Sequence, residues 1–259
     1  CRGDVSKEFP LSKTNEDNGT LINFIPDKDI FKNFNYIPDH LEDKIWNYAY
    51  LNSGLTLKFN KKNYYSKNGL LDLLNKHIDI EKIKYPIVHI KKGDIEIAFT
   101  HSSHYGEEYY TFVNGQHTTQ GGTHLTAFKE SIVRSVRDFY KKDFDPLDIR
   151  SAIVAAISIK IQEPVFESQT KTKLGSTEMS PEGETIRSKF IDLFKKEFDN
   201  YLHKNPDMSS ALLERILQSE KERKDMAGIR NVANKRAKKA NLFNKKLRDC
   251  KIHLNDKGK

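Results

Sequence analysis

The sequence predicts an α+β fold. Apolar residues recur at three- and four-residue steps over 123–140 and 186–202, the period of an amphipathic helix. Alternating or continuous apolar runs of strand length lie at 94–100, 109–114 and 153–161. A compact mixed section of strands and a short helix fills the middle of the chain, and the last third is helical.

Residues 1–17 are polar and turn-rich, an irregular lead-in. Gly19–Ile25 (GTLINFI) reads as a strand ended by Pro26-Asp27. Asp39 to Asn52 reads as a helix. Asp39 is its expected N-cap, Glu42 completes a capping box, and Gly54 is the C-terminal stop. Leu41, Ile45, Tyr48 and Ala49 form its apolar stripe. Leu55–Asn60 alternates as a strand and Asn68–Asn75 is a short helix. Strands follow at Pro86–His89, Asp94–Thr100 and Tyr109–Asn114. Ile95, Ile97 and Phe99 alternate with Glu96, Ala98 and Thr100, which predicts a sheet with one covered face.

A glycine-containing loop, Asn114 to Gly122, leads to Thr123, which opens the helix carrying Leu125, Phe128, Ile132, Val136, Phe139 and Tyr140. Ile153–Ile161 is nearly continuous in apolar residues, as a central buried strand should be. A polar loop, Glu163–Gly175, comes next. Ile186, Phe190, Phe194, Phe198 and Leu202 mark another helix, ended by Asn205-Pro206. Leu212, Leu213, Ile216 and Leu217 start the last one, which is charged almost all round from Ser219 to Lys239 and should bridge to, or lie over, a neighbouring domain. No internal repeat is evident.

Composition narrows the function classes. With 259 residues, 37% hydrophobic and 31% charged, the chain can bury a sizeable core. The longest apolar stretch, Ala152 to Ile159, is far short of the roughly 20 residues of a membrane helix, and no signal peptide opens the chain. The two cysteines, Cys1 and Cys250, exclude a disulfide framework and suit a reducing cytosol. A start at Cys1, in mid-pattern, reads as a piece of a longer protein. Residues 235–259 hold ten Lys/Arg and two Asp/Glu, so the whole +8 lies there and residues 1–234 balance at zero. That asymmetry suits either a polyanion near the C-terminal end or a solvated charged helix.

The sequence lacks a G-x-x-x-x-G-K-[ST] loop, a G-x-G-x-x-G after a strand, an H-E-x-x-H and a G-x-S-x-G. His101, His104, His117 and His124 cluster in sequence, but no acidic residue stands at ligand spacing, so loop and cap roles compete with metal binding. Gly121-Gly122-Thr123 before a helix could bind an anion through free amides, or simply allow a tight turn with Thr123 as cap. Phe166–Gly175 (FESQTKTKLG) follows the buried strand, where α/β proteins place functional groups. A lysine there can donate to phosphate with a neighbouring Gln assisting, or the loop can be plainly solvated.

Together these segments point further. Tyr110–His124 (YTFVNGQHTTQGGTH) closely resembles the "FVN…T…GGTH" signature of type IIA DNA topoisomerases. Asp148-Ile149-Arg150, Ala155–Ser158, Pro164 and Gln169–Gly175 match the next blocks of that family in order. Asn18-Gly19-Thr20 with Phe24, Pro26 and Asp27 resembles the last strand of its ATPase domain. Leu51–Thr56 resembles the start of its second domain, and Lys246–Cys250 (KLRDC) the segment before its Toprim domain. The resemblance runs from about residue 18 to 255 and is to the bacterial B subunit, topoisomerase IV type more than gyrase type.

The resemblance implies an architecture: residues 1–50 as the end of a GHKL ATPase domain, 51–205 as a transducer domain similar to domain 2 of ribosomal protein S5, and 206–259 as a long charged helix and linker toward Toprim. It implies ATP and Mg2+ as cofactors, held mainly by segments upstream of Cys1, and no metal site within this stretch. Lys171 would contact the γ-phosphate and Gln169 would assist. Lys235, Arg236, Lys238 and Lys239 would contact DNA phosphates. Partners would be DNA, the topoisomerase A subunit in a heterotetramer of two A and two B subunits, and a second B subunit on ATP binding. The catalytic Glu would lie upstream, the Toprim carboxylates downstream and the DNA-attacking Tyr on the other subunit. This stretch alone should therefore be inactive, and monomeric. The setting would be cytoplasmic and nucleoid-associated. A nucleic-acid-binding module and a small-molecule kinase of the same fold are the competing readings. Neutral residues 1–234 oppose the first, and the lack of a phosphate-cradling loop opposes the second.

Overall fold

The computed structural model describes residues 22–242, together with Lys13 and Asn15. The chain divides into two compact units, Cys1–Leu41 and Glu42–Lys259. In the first, residues 22–37 run as coil and turn, closed by Phe31 N–H to Asp27 C=O (2.8 Å) and Asp29 N–H to Asp27 Oδ1 (2.8 Å). Phe34 meets both Phe31 and Tyr36 edge-on. No strand forms at residues 22–25, contrary to the expectation over Gly19–Ile25, and residues 19–21 lie outside the described part. A lone extended segment has no ladder to join, so its pattern shows only when partner strands are beside it.

Helix α1 spans Pro38–Leu51. It starts at proline, whose fixed φ suits the first helical position. Asp39 is therefore a first-turn residue favouring the helix dipole, not the N-cap, and the capping box with Glu42 does not form. Strands β1 (Thr56–Phe59) and β2 (Lys62–Tyr65) make a hairpin. Asn60 and Lys61, both at positive φ, turn it with the twist that hairpins need. Only the first strand was legible, because β2 buries Tyr64 alone. Helix α2 is Leu70–His77.

The main sheet has five strands: β3 (Val88–Lys92), β4 (Ile95–His101), β5 (Glu108–Val113), β6 (Gln116–His117) and β7 (Ile153–Ile159). Their order is β3-β4-β7-β5-β6, with β5 and β7 parallel and the other pairs antiparallel. Between β6 and β7 lie α3 (Thr123–Tyr140) and α4 (Pro146–Arg150). After β7 come α5 (Ile186–Leu193), a π turn (Phe194–Phe198), α6 (Asp199–Lys204) and α7 (Pro206–Leu242). β7 is central and buried, as expected.

The prediction of one covered face fails, because every residue of β4 is buried. Ile95, Ile97 and Phe99 join Ile157 and Ile159 against Phe128, Ile132, Phe190, Phe194, Phe198 and Ile216. The opposite face is also covered: Ala98, Phe112, Val154 and Ala156 meet Leu70, Leu73, Leu74 and Tyr50. The polar residues there are buried because they are satisfied. Glu96 accepts from Leu70 N–H (3.0 Å), His89 (3.1 Å) and Lys91 (2.9 Å), and Thr100 donates to Tyr85 C=O (2.8 Å).

Candidate functional site

The loop after β7 is the candidate site, and the structure explains how it is held. At its start, Asn114 adopts a positive φ and uses its side chain as an extra rung. Its Nδ2 donates to Ile161 C=O and its Oδ1 accepts from Ile161 N–H, both at 2.8 Å. This fixes where the chain leaves β7. At the loop's end, Leu174 N–H donates to Gly121 C=O (3.0 Å), Thr123 N–H to Leu174 C=O (3.3 Å) and Gln120 N–H to Thr172 C=O (2.9 Å). Gly122 sits at φ 134°, and a Cβ there would lie 2.4 Å from Leu174 O and 2.6 Å from Leu174 N. The paired glycines therefore let two backbones touch.

Of the two readings of Gly121-Gly122-Thr123, the tight turn is the one formed. The first α3 amide is taken by Leu174 C=O, so it is not free for an anion. Thr123 is not the cap either: Gly122 holds that position without a side-chain bond, and Thr123 Oγ1 donates to Ser176 C=O (2.5 Å).

The tip is open. Lys171 N–H closes a turn onto Ser168 C=O (3.0 Å), and Ser168 Oγ pairs with Thr170 Oγ1 (2.8 Å). Lys171 takes a left-handed φ of 56°, which turns it out of line with its neighbours. Its ammonium lies 5.9 Å from the Phe166 ring centroid, at the outer limit of a cation–π contact. Lys173 is different, since Glu167 pairs with it at 2.9 Å. Gln169 and Lys171 are exposed, and among the described residues neither side chain makes a hydrogen bond or ion pair. The loop thus brings an amide and an unneutralised cation to one rigidly based tip. A 690 Å³ cavity beside the base is lined by Leu125, Lys129, Lys173, Thr185 and Arg187, and the tip residues are not among its walls.

The histidines do not converge. His101 is buried, bonded to Tyr85 Oη (2.5 Å) and Ile149 C=O (2.7 Å), and burial lowers its pKa to about 4. His124 is buried beside Thr118 Oγ1 (3.2 Å), with its pKa also lowered to about 4 by burial. His117 stacks on Phe112, and His104 is exposed. Among the described residues no three His, Cys, Asp or Glu side chains stand together as metal ligands.

Of the basic candidates, Lys235 and Arg236 are exposed on α7. Lys238 and Lys239 lie on the same helix, and their side chains are outside the described part. With 37 residues α7 is about 55 Å long, so these positions lie far along it from the packed first turns. Sequence reasoning missed the gripping roles of Asn114 and Gly122. The signal was the FVN and GG spacing on either side of the loop they hold.

The family match and the similarity to known relatives place the chain among the B subunits of bacterial type IIA topoisomerases. The DNA gyrase B family model matches residues 58–232, and the chain belongs to that family. It is 40% identical over 247 residues to the B subunit of DNA topoisomerase 4 from Borreliella burgdorferi, covering 95% of this chain and 40% of that protein. The DNA gyrase B subunit of Thermotoga maritima is 30% identical over 259 residues, covering 90% and 40%. The chain thus spans about two fifths of the length of these relatives. The 43K ATPase domain of Thermus thermophilus gyrase B superposes with a TM-score of 0.64 at 24% identity, covering 80% of this chain and 59% of that one. The topoisomerase IV ATP-binding domain of Francisella tularensis gives 0.60 at 23%, covering 76% and 57%. These likenesses bear out the expected α+β fold with its long C-terminal helix.

Proposed function

We propose that the chain is the transducing part of the ATPase subunit of a type II DNA topoisomerase, of the topoisomerase IV kind. It would couple ATP binding and hydrolysis to passage of one duplex through another. The observation that carries this reading is the tip of the 163–175 loop: an exposed Lys171 and Gln169 on a base clamped by Asn114 and Gly122. A fixed cation of this kind stabilises charge on the terminal phosphate of a nucleotide. Lys171 would hold that phosphate and Gln169 would donate to it. Once phosphate leaves, the loop loses its partner, which gives it two states.

The domain division 1–50, 51–205 and 206–259 belongs to the same reading. Residues 22–37 expose Ile22, Phe24, Ile25 and Ile30, apolar side chains suited to packing within a fuller ATPase domain. Mg2+ would be held mainly by that domain. DNA, the A subunit in a heterotetramer of two A and two B subunits, and a second B subunit are the proposed partners. The setting is the cytoplasm, at the nucleoid. The greater identity to the topoisomerase IV relative than to the gyrase relatives supports the choice of type. A module that only binds nucleic acid is less favoured, since residues 1–234 carry no net charge.

The test uses the full-length subunit, comparing ATP hydrolysis by the wild type and Lys171→Ala. Removing one such donor is expected to cost about 2.7–4 kcal/mol of transition-state stabilisation, roughly a hundredfold or more in rate. Unchanged hydrolysis with the fold intact would make the loop merely structural and withdraw the assignment.

A further inference from the structure

Helix α7 leaves the body through a graded joint. Its first turns are held by apolar packing of Met208, Leu212 and Ile216, and by Tyr140 Oη donating to Ser209 C=O (2.5 Å). Next comes Arg215, 5% exposed, whose one hydrogen bond among the described residues is from Nη2 to Ser151 Oγ (3.2 Å). Last is Arg223, which forks onto Asp148: Nε to Oδ1 at 2.8 Å and Nη2 to Oδ2 at 2.7 Å, with Asp145 Oδ2 3.6 Å away. Asp148 is 3% exposed, whereas residues 223–237 are all exposed. The fork is therefore the last tie between helix and body among the described residues.

The same body reaches back to the switch loop. α3 begins at the Gly122–Leu174 contact and ends beside α7 at Tyr140. Arg137 on α3 donates twice to Phe144 C=O (2.9 and 2.6 Å), just before α4. Glu107 joins Lys129 of α3 to Arg150 of α4 (2.7 and 3.0 Å). Asp145 and Asp148 stand at the start of α4, with Asp145 as its N-cap, accepting from Leu147 N–H (2.8 Å). α3 is thus fastened to the loop at one end and, through α4, to α7 at the other.

We propose that the Asp148–Arg223 fork is the coupling contact: a pair of positioning residues that makes α7 turn with the α3–α4 body, so that a change at the loop moves the far end of the helix. This rests on the transducer reading above. A bidentate guanidinium–carboxylate pair fixes angle as well as distance, which apolar packing alone does not. Arg215, with one bond, leaves the angular constraint to its neighbour a little over two turns on. If the pair only stabilised the fold, its loss would lower hydrolysis and duplex passage together.

The experiment reconstitutes the full-length subunit with its A subunit and measures ATP hydrolysis and duplex unlinking in the same samples. The variants are Asp148→Asn, Arg223→Gln, Arg223→Lys and the double Asp148→Asn/Arg223→Gln, each checked by thermal unfolding. Arg223 is on the surface, so Arg223→Gln removes no apolar packing and its amide can still donate one hydrogen bond to the buried Asp148, whereas Asp148→Asn alters the buried group itself. Hydrolysis should stay within about twofold of wild type while duplexes passed per ATP fall by about tenfold or more, the usual scale of a coupling between sites. The double variant should be no worse than the worse single one, and Arg223→Lys should recover part of the loss. Unchanged passages per ATP in folded Arg223→Gln, or a parallel fall of hydrolysis and passage, would overturn the proposal alone. A wild type without ATP-dependent unlinking would remove the transducer reading and the proposal together.

Discussion

At the scale of single residues, the site depends on groups that do not touch phosphate in the reading proposed here. Gly122 is the clearest case. A methyl group there would meet backbone atoms of Leu174, which cannot swing aside as a side chain could. Gly122→Ala should destabilise the protein by roughly 1–3 kcal/mol and loosen the loop base, seen as a lower melting temperature and faster proteolysis near residue 170. Gly93→Ala is the control, because no atom lies within 4 Å of its added carbon and only the positive φ is strained. The sequence marked the loop, since a polar stretch after a buried apolar strand is a local pattern, but singling out Lys171 and Gln169 within it rested on the family resemblance. It hid the role of Asn114, because a side chain acting as a backbone rung has no period. It misled at Glu96, where a carboxylate in an alternating strand reads as solvent-facing until the amide of Leu70, the His89 ring and the Lys91 ammonium are seen around it.

Among the elements, helices with a continuous apolar stripe were legible to within a few residues, because packing and propensity agree there. The β1–β2 hairpin was half legible and the strand at Gly19–Ile25 did not form among the described residues, because short strands take their stability from neighbours. Helix α7 was legible as a helix but not as a joint. Its anchoring residue, Arg223, is one of many charges, and only the carboxylate beneath it tells them apart. Its far end carries a different expectation. If Lys235 and Arg236 meet DNA phosphates, replacing both by Gln should reduce the slope of log affinity against log salt by about 0.9 for each phosphate no longer neutralised. Titrations of duplex DNA with the full-length subunit at several salt concentrations would read this, and an unchanged slope would return the helix end to a solvated role.

For the whole molecule, stability should depend on pH through its buried titratable groups. His101 and His124 are kept neutral by burial, with pKa values lowered to about 4. The unfolded chain takes up protons there below about 6.5, so the stability they contribute is complete above that value and is lost as pH falls toward 4, by up to about 1.4 kcal/mol per unit for each group. Burial alone would raise the pKa of Glu96, but His89, the Leu70 amide and Lys91 outweigh it and lower it, which extends the loss to more acid pH. Tyr85, buried and raised well above 10, works at the other end: its contribution is present below pH 10 and fades above. Thermal melts should therefore show a plateau between about pH 6.5 and 10, and a melting temperature unchanged from pH 7 to 5 would contradict it. The π turn bears on the molecule's bearing in space. Ile186, Phe190, Phe194, Phe198 and Leu202 are spaced by four, and on a pure α-helix such a row would creep round the axis by about 40° per step. All five are nonetheless buried, because the wider π turn at 194–198 winds the row back. The turn acts as a phase corrector. Such a turn absorbs one residue more than an α turn would hold, so the register in which Phe198 and Leu202 meet the core is kept by the width of a five-residue segment that touches neither the loop nor the fork.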